Sequence, residues 1–327
     1  MSAPVVEVRG DGIAAYCCTH LLRKAGIPVR LVRPDRPRVP AILISEAALH
    51  LLRDIFDSPS LLANSFLIRQ RIVAWAAGQG VSRMEHRGYV TSEQELLASL
   101  LPDGETCSAK PDFLIYSSNP LPAGVNQQHL GSRAAIAWRA ALRHGCPPAA
   151  CMMESLPAGW LFLLPDGEHL AWLLAVGDAA GRPLGTSELI APYIETLSEA
   201  SSPFPSHPRI ATQLAGPGWL ACGSAAMSFD PICGDGTALA VRAAILAAAV
   251  IRAHLDGHDP ASLRQHYESR VRAGFQRHVD LCRQFYRHGF GGPWWEAELA
   301  ALDAFSPGTP EPFRYRLRDL TLEPVSE

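Results

Sequence analysis

Residues 219–251 read WLACGSAAMSFDPICGDGTALAVRAAILAAAVI, and this stretch decides the fold. Its opening, 219–222, is a short apolar strand that enters a tight turn of glycine and small residues. A Pro-anchored, glycine-rich loop at 230–236 follows and opens directly into a long apolar helix. Loops of this kind end with several backbone N–H groups converging at a helix N-terminus, where partial positive charge accumulates. Gly234 and Gly236 carry no side chain that would keep a flat ring or an anion off the backbone. A second glycine feature, VVEVRGDGIAA at 5–15, opens the chain. Backbone cradles near both ends of the sequence imply one long cofactor clamped between them.

The N-terminal cradle, Gly10-Asp11-Gly12-Ile13-Ala14-Ala15, matches the dinucleotide pattern GxGxxG with Ala in the last place. The first glycine permits the turn and the second lets a pyrophosphate approach backbone N–H groups. A small third residue lets the helix pack on the strand. An acid normally closes the second strand and holds the adenosine ribose; Arg33 stands there, with Asp35 the nearest carboxylate. Arg33 or Arg36 then contacts a phosphate or stacks on adenine, or both are solvated loop arginines.

Working outward, a strand at 4–9, a helix at 13–25 and a strand at 28–32 give a βαβ start for a parallel sheet. Helices are expected at 45–56 and 92–101, each with a Ser N-cap, and strands at 89–91 and 112–117. The character changes after Gly131. Segments 134–142, 150–156, 160–164 and 169–176 are short and strand-like, and PDG at 165–167 reads as a hairpin turn. They form an antiparallel sheet inserted between the halves of the parallel domain. A helix at 186–200, a Ser/Pro-rich linker at 201–208, helices at 260–288 and 293–305, and a Pro-rich charged tail complete the chain.

Composition bounds the partners. The 327 residues, 48% of them hydrophobic, suffice for one large or two intimate domains. A net charge of −3 gives no reason to expect nucleic acid or an anionic membrane surface. Eight cysteines (17, 18, 107, 146, 151, 222, 233 and 282) include no CxxC, so they read as reduced and packed, and no metal site is expected. His278, Cys282 and His288 read as surface or core groups of one long helix. No secretory signal pattern is evident, and the apolar helix around 239–255 carries Arg242 and Arg252, too interrupted to span a bilayer. A soluble, cytoplasmic protein is the expectation.

With these motifs in place, the chain resembles FAD-dependent monooxygenases of the tryptophan-halogenase-like group. Within that group it is most similar to flavoproteins that mature tryptophan-derived quinone cofactors. The residues that carry the likeness are GDGIAA at 10–15, IRQRIVAW at 68–75, ESLPAGWLFLLPDG at 154–167 and GSAAMSFDPICGDGTALAVRAAILAA at 223–248. HYESRVRAGFQRHVDLCRQFYRHG and GGPWWEAEL add to it further on. The resemblance implies an α/β fold: a Rossmann-like FAD-binding domain (1–131 and 205–257), an inserted antiparallel substrate sheet (132–204), and helices with a tail at 258–327. It implies FAD with its pyrophosphate at Gly10, Gly12, Ile13 and Ala14 and its ribityl chain near Gly223 and Ser224. The ring would rest on Asp230, Pro231, Gly234, Asp235, Gly236, Thr237 and Ala238. Arg71 would touch the adenine–ribose side, by analogy with an arginine on a helix there. Trp160, Phe162 and Trp172 would line the substrate pocket, although aromatics on such strands also serve as plain core.

Three places depart from the group's pattern. Gly223-Ser224 stands where a Gly-Asp pair normally holds the ribityl chain, SSNP follows the strand at 112–117, and Arg33 replaces the ribose-binding acid. Halogenation is disfavoured because Lys24 and Lys110 do not match the halogenase lysine, no Glu lies between Met227 and Gly236, and WxWxIP is missing. Hydroxylation of an aromatic, an indole or a Trp side chain of a partner protein, is the better implied chemistry. Asp235, the one acid inside the loop, orients substrate, handles a proton or caps the next helix. With a single GxG unit, electrons would come from transiently bound NAD(P)H or a separate flavin reductase. The alternatives are a non-oxygenating flavin oxidoreductase, or a degenerate flavoprotein acting as a non-catalytic maturation partner.

Overall fold

A computed structural model describes residues 4–100, 109–178, 181, 183–306, 313–318 and 320–325. Leu101, Cys107 and part of the Pro-rich tail lie outside them.

The first sheet is the dinucleotide-type sheet expected from the opening of the chain. Its order is β15 (Ala215–Gly216), β16 (Trp219–Ala221), β6 (Phe113–Tyr116), β1 (Val6–Arg9) and β2 (Val29–Val32). β1 pairs in parallel with both β2 and β6, and β6 with β16. Neighbouring strands leave β1 on opposite sides, so the switch point of the sheet lies at the carboxyl end of β1, next to Gly10. Helix α1 (Ile13–Lys24) follows, with all but its last residues and His20 buried. It packs on α5 (Gly236–Leu255), whose alanines 243, 244, 247 and 248 leave room for close approach.

By length and mean hydropathy (1.7), α5 is apolar enough to cross a membrane, which corrects the expectation that it is too interrupted. Its apolarity has an internal use: 61% of that window is buried, against α1, α2 (Glu46–Phe56) and α6 (Pro260–Arg287). Ser45 caps α2 by accepting the Ala48 N–H, and Ser92 and Glu95 close a capping box on α3 (Glu93–Ser99). The remaining helices are the single turn α4 (Gly223–Ala226) and α7 (Pro293–Asp303), which packs on α6.

The second sheet is larger than the insertion expected at 132–204. It runs β12 (Ile194–Ser198), β8 (Ala134–Leu142), β11 (Leu170–Gly177), β10 (Gly159–Pro165), β9 (Ala150–Leu156), β4 (Phe66–Ala74), β5 (Ser82–Thr91) and β3 (Ile42–Ser45). β13 (Phe204–Pro205) also pairs with β8. Strands from 42–91 thus extend the sheet, joined through a parallel β4–β9 pairing. Smaller sheets comprise β7 (Gln127–His129), β14 (Arg209–Ala211) and β17 (Met227–Ser228), and the hairpin β18 (Tyr315–Arg318) with β19 (Thr321–Pro324).

Alternation sorts the faces of this sheet. Trp160, Met153 and Val176 pack into the same core as α1 and α5, whereas Leu161, Leu163, Leu173 and Met152 form a second core behind. The segment 186–200 is not a helix. Buried Glu154 accepts the backbone N–H groups of Glu188, Leu189 and Ile190 at 2.6, 2.9 and 3.0 Å. Pro192 sits in a short 3-10 turn, and β-branched Ile194 and Thr196 then pair along β8.

Candidate functional site

At the dinucleotide loop, Gly10 has φ +152° and lies so close to Ser117 that a Cβ would collide with it. Gly12 caps α1 without a side-chain hydrogen bond, which leaves the first-turn N–H groups to other partners. Charge gathers around the loop. Arg36 donates to the Asp11 carbonyl from Nε at 3.0 Å and pairs with Glu93, whose carboxylate also accepts the Val39 N–H at 3.0 Å. Arg38 donates to the same carbonyl at 2.8 Å and pairs with the Asp11 carboxylate. Arg36 is therefore no solvated loop residue, and the Arg38 and Glu93 contributions went unread in the sequence. Arg33 is exposed; its hydrogen bond with Tyr16 raises its pKa. Beside this loop a cleft of about 550 Å³ opens at the carboxyl ends of β1 and β2, lined by Arg9, Val32, Pro34 and the 118–120 turn.

Gly223 joins the two glycine features. It has φ +52°, and a Cβ there would stand 2.7 Å from the Ala14 Cβ and 3.2 Å from the Ser117 carbonyl. Ser224 Oγ donates to that carbonyl at 3.2 Å. The starts of α1 and α4 and the end of β6 therefore meet at one point, as a cofactor reaching from the first loop to the second requires.

The second loop is fixed at one end. Asp230 is 2% exposed, and both carboxylate oxygens have partners inside the protein. Arg133 donates from Nε at 3.1 Å, Tyr286 Oη donates at 3.0 Å, and the Ile232 N–H donates at 3.0 Å. Arg133 also pairs with Glu298. Burial lowers the Arg133 pKa, but the charges of Asp230, Tyr286 and Glu298 reverse that and hold it above an ordinary arginine. Asp230 is thus the loop's anchor, and its carboxylate is taken up by the core. Pro231 starts a 3-10 turn that ends at Gly234, φ +65°.

The other end of the loop is open. A Cβ on Gly236 would meet nothing within 4 Å, and one on Gly234 would meet only Arg71 Nη2, at 3.6 Å. Arg71 therefore stands beside the second loop, on strand β4 and not on a helix. Its Nη2 lies 3.3 Å from His86 Nε2, and its buried Nε has no hydrogen-bond partner among the described residues. Asp235 precedes α5 but makes no capping bond; its carboxylate lies 3.8 Å from Arg242 Nη1. Burial raises the Asp235 pKa, against the opposing pull of Arg242 and His278. Thr237 is half-buried and Ala238 is buried.

The three sheet aromatics separate. Trp160 is 1% exposed, donates from Nε1 to Tyr286 Oη at 3.2 Å and packs beside Trp75, which makes it core, not pocket lining. Phe162 stays half-buried on the same sheet face, two residues along β10. Trp172 is half-buried beneath Arg139, whose guanidinium lies 5.1 Å from its ring. Lys24 pairs with Asp57 at 2.6 Å in the last turn of α1, and Lys110 is exposed ahead of β6.

One grouping escaped the sequence. Cys233, His278 and Cys282 bring their ligand atoms within 4.8 Å of one another, although Cys233 lies 45 or more positions before the others. Cys282 follows His278 by one helical turn, which was legible, but its meeting with the 3-10 turn of the loop was not. His278 Nε2 accepts the Asp230 N–H at 2.9 Å, which occupies the lone pair a metal would need there.

No protein-family model and no curated protein matches the chain. Solved structures do. The peptidyl tryptophan dihydroxylase QhpG, described as essential for tryptophylquinone cofactor biogenesis, is 20% identical over 99% of this chain and 86% of its own, with a TM-score of 0.72. CmlS, a flavin-dependent halogenase, is 17% identical over 91% of this chain and 68% of its own, with a TM-score of 0.77. Klebsiella pneumoniae HpxO, solved with FAD and uric acid, is 14% identical over 91% of this chain and 92% of its own, with a TM-score of 0.66. The chain has the fold of the flavin-dependent halogenases and monooxygenases, as its resemblance to that group implied.

Proposed function

We propose that the protein is a FAD-dependent monooxygenase that hydroxylates an aromatic, indole-like substrate. The observation that carries this reading is the open Gly234–Gly236 end of the second loop, with Arg71 3.6 Å from the position of a Gly234 Cβ and its Nε unpartnered. A flat, electron-accepting ring fits such a place: bare backbone at a helix N-terminus, a cation beside it, and no side chain in between.

The chain's own residues would divide the tasks as follows. Gly10, Gly12, Ile13 and Ala14 hold a pyrophosphate on backbone N–H groups, with Arg36 and Arg38 as nearby positive charge. The N–H groups of Gly236 and Thr237 hold negative charge at the far end of the cofactor. Bound FAD, once reduced, supplies activation of dioxygen, with one oxygen atom going to the substrate and the other leaving as water. Asp235, its proton held more firmly than in an ordinary carboxyl, is placed to pass a proton at the loop. Phe162 and the neighbouring sheet face exclude water. The reductant is NAD(P)H bound transiently or a separate flavin reductase, and the setting is the cytoplasm. The QhpG likeness favours a Trp side chain within a partner protein as substrate.

The test is turnover of the FAD-loaded protein under isotopically labelled dioxygen, with free tryptophan, indole and a Trp-containing peptide offered in parallel. Label in the product of one of them supports the reading. Flavin reoxidation with no label in any product, while a substrate loses hydrogen, favours a non-oxygenating oxidoreductase.

One observation favours a second reading. Ser224 spends its hydroxyl on the Ser117 carbonyl, so the usual ribityl partner is both shortened and engaged. A protein that retains no FAD yet binds its partner would then act in maturation without catalysis.

A further inference from the structure

The 3-10 turn of the second loop sets Cys233 against α6, with its Sγ 3.6 Å from Cys282 Sγ. A disulfide needs about 2.05 Å between sulfurs, so closure asks for a movement of about 1.5 Å. The two thiols are unlike. Cys282 is fully buried, whereas Cys233 is half-buried and borders a cleft of about 350 Å³ between α5 and α6. His278 Nε2 lies 3.4 Å from Cys282 Sγ, one turn earlier on the same helix.

The protein holds a second close pair that serves as a comparison. Cys18 and Cys222 bring their sulfurs to 3.8 Å, but both are 0% exposed inside the main core. Proximity alone is shared by both pairs. Access, an adjacent imidazole and a site on a glycine-rich loop belong to Cys233 and Cys282 only.

We propose that Cys233 and Cys282 are a redox-active thiol pair, oxidised by hydrogen peroxide to a disulfide that ties the second loop to α6. The Cys233 thiolate attacks one peroxide oxygen, the O–O bond breaks, and hydroxide leaves to become water, with a sulfenic acid on Cys233. Cys282 sulfur then attacks Cys233 sulfur, the S–O bond breaks, the S–S bond forms, and a second water leaves. Two electrons pass from the two sulfurs to peroxide. The hydrogen bond from Cys282 outweighs the opposing burial and holds the Cys233 thiol below an ordinary cysteine, while burial pushes Cys282 up. Cys233 is thus the attacking thiol and Cys282 the resolving one. Only the source of the oxidant rests on the monooxygenase reading, since peroxide is the by-product when dioxygen is reduced without oxygen transfer.

The full-length protein, fully reduced, is treated with equimolar hydrogen peroxide, blocked with N-ethylmaleimide under denaturing conditions, digested and mapped by mass spectrometry. The expected result is a Cys233–Cys282 cross-linked peptide, loss of two titratable thiols, and intact, alkylated Cys18 and Cys222. In Cys282→Ser, dimedone should trap a sulfenic acid at Cys233; in Cys233→Ser, Cys282 should stay reduced. Circular dichroism of both variants establishes that they are folded. The proposal is overturned if Cys18 and Cys222 cross-link as readily, if Cys233 stays reduced, if its sulfenic acid persists without cross-linking, or if co-purified zinc occupies the thiols. The readout needs no flavin, so it stands or falls separately from the FAD reading.

Discussion

At the N-terminal loop the charges that touch the glycine turn are answered within the protein: Asp11 by Arg38, Arg36 by Glu93, and the Asp11 carbonyl by both arginines. The second loop is bolted into the core at its first residue, where Asp230 meets Arg133 and Tyr286; further on, Asp235 has just a loose, exposed pairing with Arg242 at 3.8 Å, and the glycines at 234 and 236 are open. One loop is a finished anchor with charge around it; the other is a hinge-like ledge, bolted to the core at one end and bare at the other. A cofactor with a charged diphosphate at one end and a flat ring at the other needs this difference.

The largest expected effect comes from cutting the bolt. Asp230→Ala leaves the Arg133 guanidinium, with 0% of its side chain exposed, short of its main partner. Glu298 still pairs with that guanidinium, so the loss should fall at or below the lower end of the about 3–5 kcal/mol for an uncompensated buried charge, read as a lower urea midpoint. Arg38→Ala removes a pair whose arginine is 33% exposed, and should cost about 1 kcal/mol or less. Equal losses would erase the contrast between the two loops.

Next comes Gly10→Ala. It forces a side chain into φ +152° and against Ser117, and should weaken FAD retention about tenfold or more, equivalent to about 1.4 kcal/mol. Gly236→Ala meets nothing within 4 Å, so it should leave the melting temperature nearly unchanged while still reducing FAD affinity. A third substitution, Arg71→Gln, should weaken FAD about tenfold or more by titration without loss of stability, since one hydrogen bond to a charged group is worth about 1.5–3 kcal/mol. If instead stability falls and affinity holds, Arg71 is a structural residue of β4.

The smallest effect concerns pH. The Cys282 hydrogen bond brings Cys233 down to about 6, against burial and the nearby Asp230 charge, with His278 also lowering it. A lowered thiol pKa means that thiolate dominates above that pH. Iodoacetamide labelling of Cys233 should therefore level off by neutral pH. Labelling of Cys146, whose pKa burial raises, should keep climbing into the alkaline range.

Much of the scaffold was legible because its signals are local. GxGxxA after a β-branched strand, Ser45 and Ser92 as caps, and PDG at a hairpin each depend on neighbours a few residues away. What went unread depends on distant partners. Glu154 draws the N–H groups of 188–190 out of the expected helix from 34 to 36 positions away. Arg71 reaches the second loop from β4, which joins the sheet through pairings with β5 and β9, so its place beside Gly234 has no local signal. Arg133, which holds Asp230 from 97 positions away, carries no sequence signal at all. The cofactor loops were thus readable, while the groups that brace them were not.

The visible absorption spectrum of the purified protein, before and after addition of FAD, reads directly whether one FAD is clamped between the two loops. Flavin bands should survive gel filtration in wild type and be lost in Gly10→Ala. A colourless wild-type protein that leaves the fluorescence of added FAD unquenched would contradict the clamp.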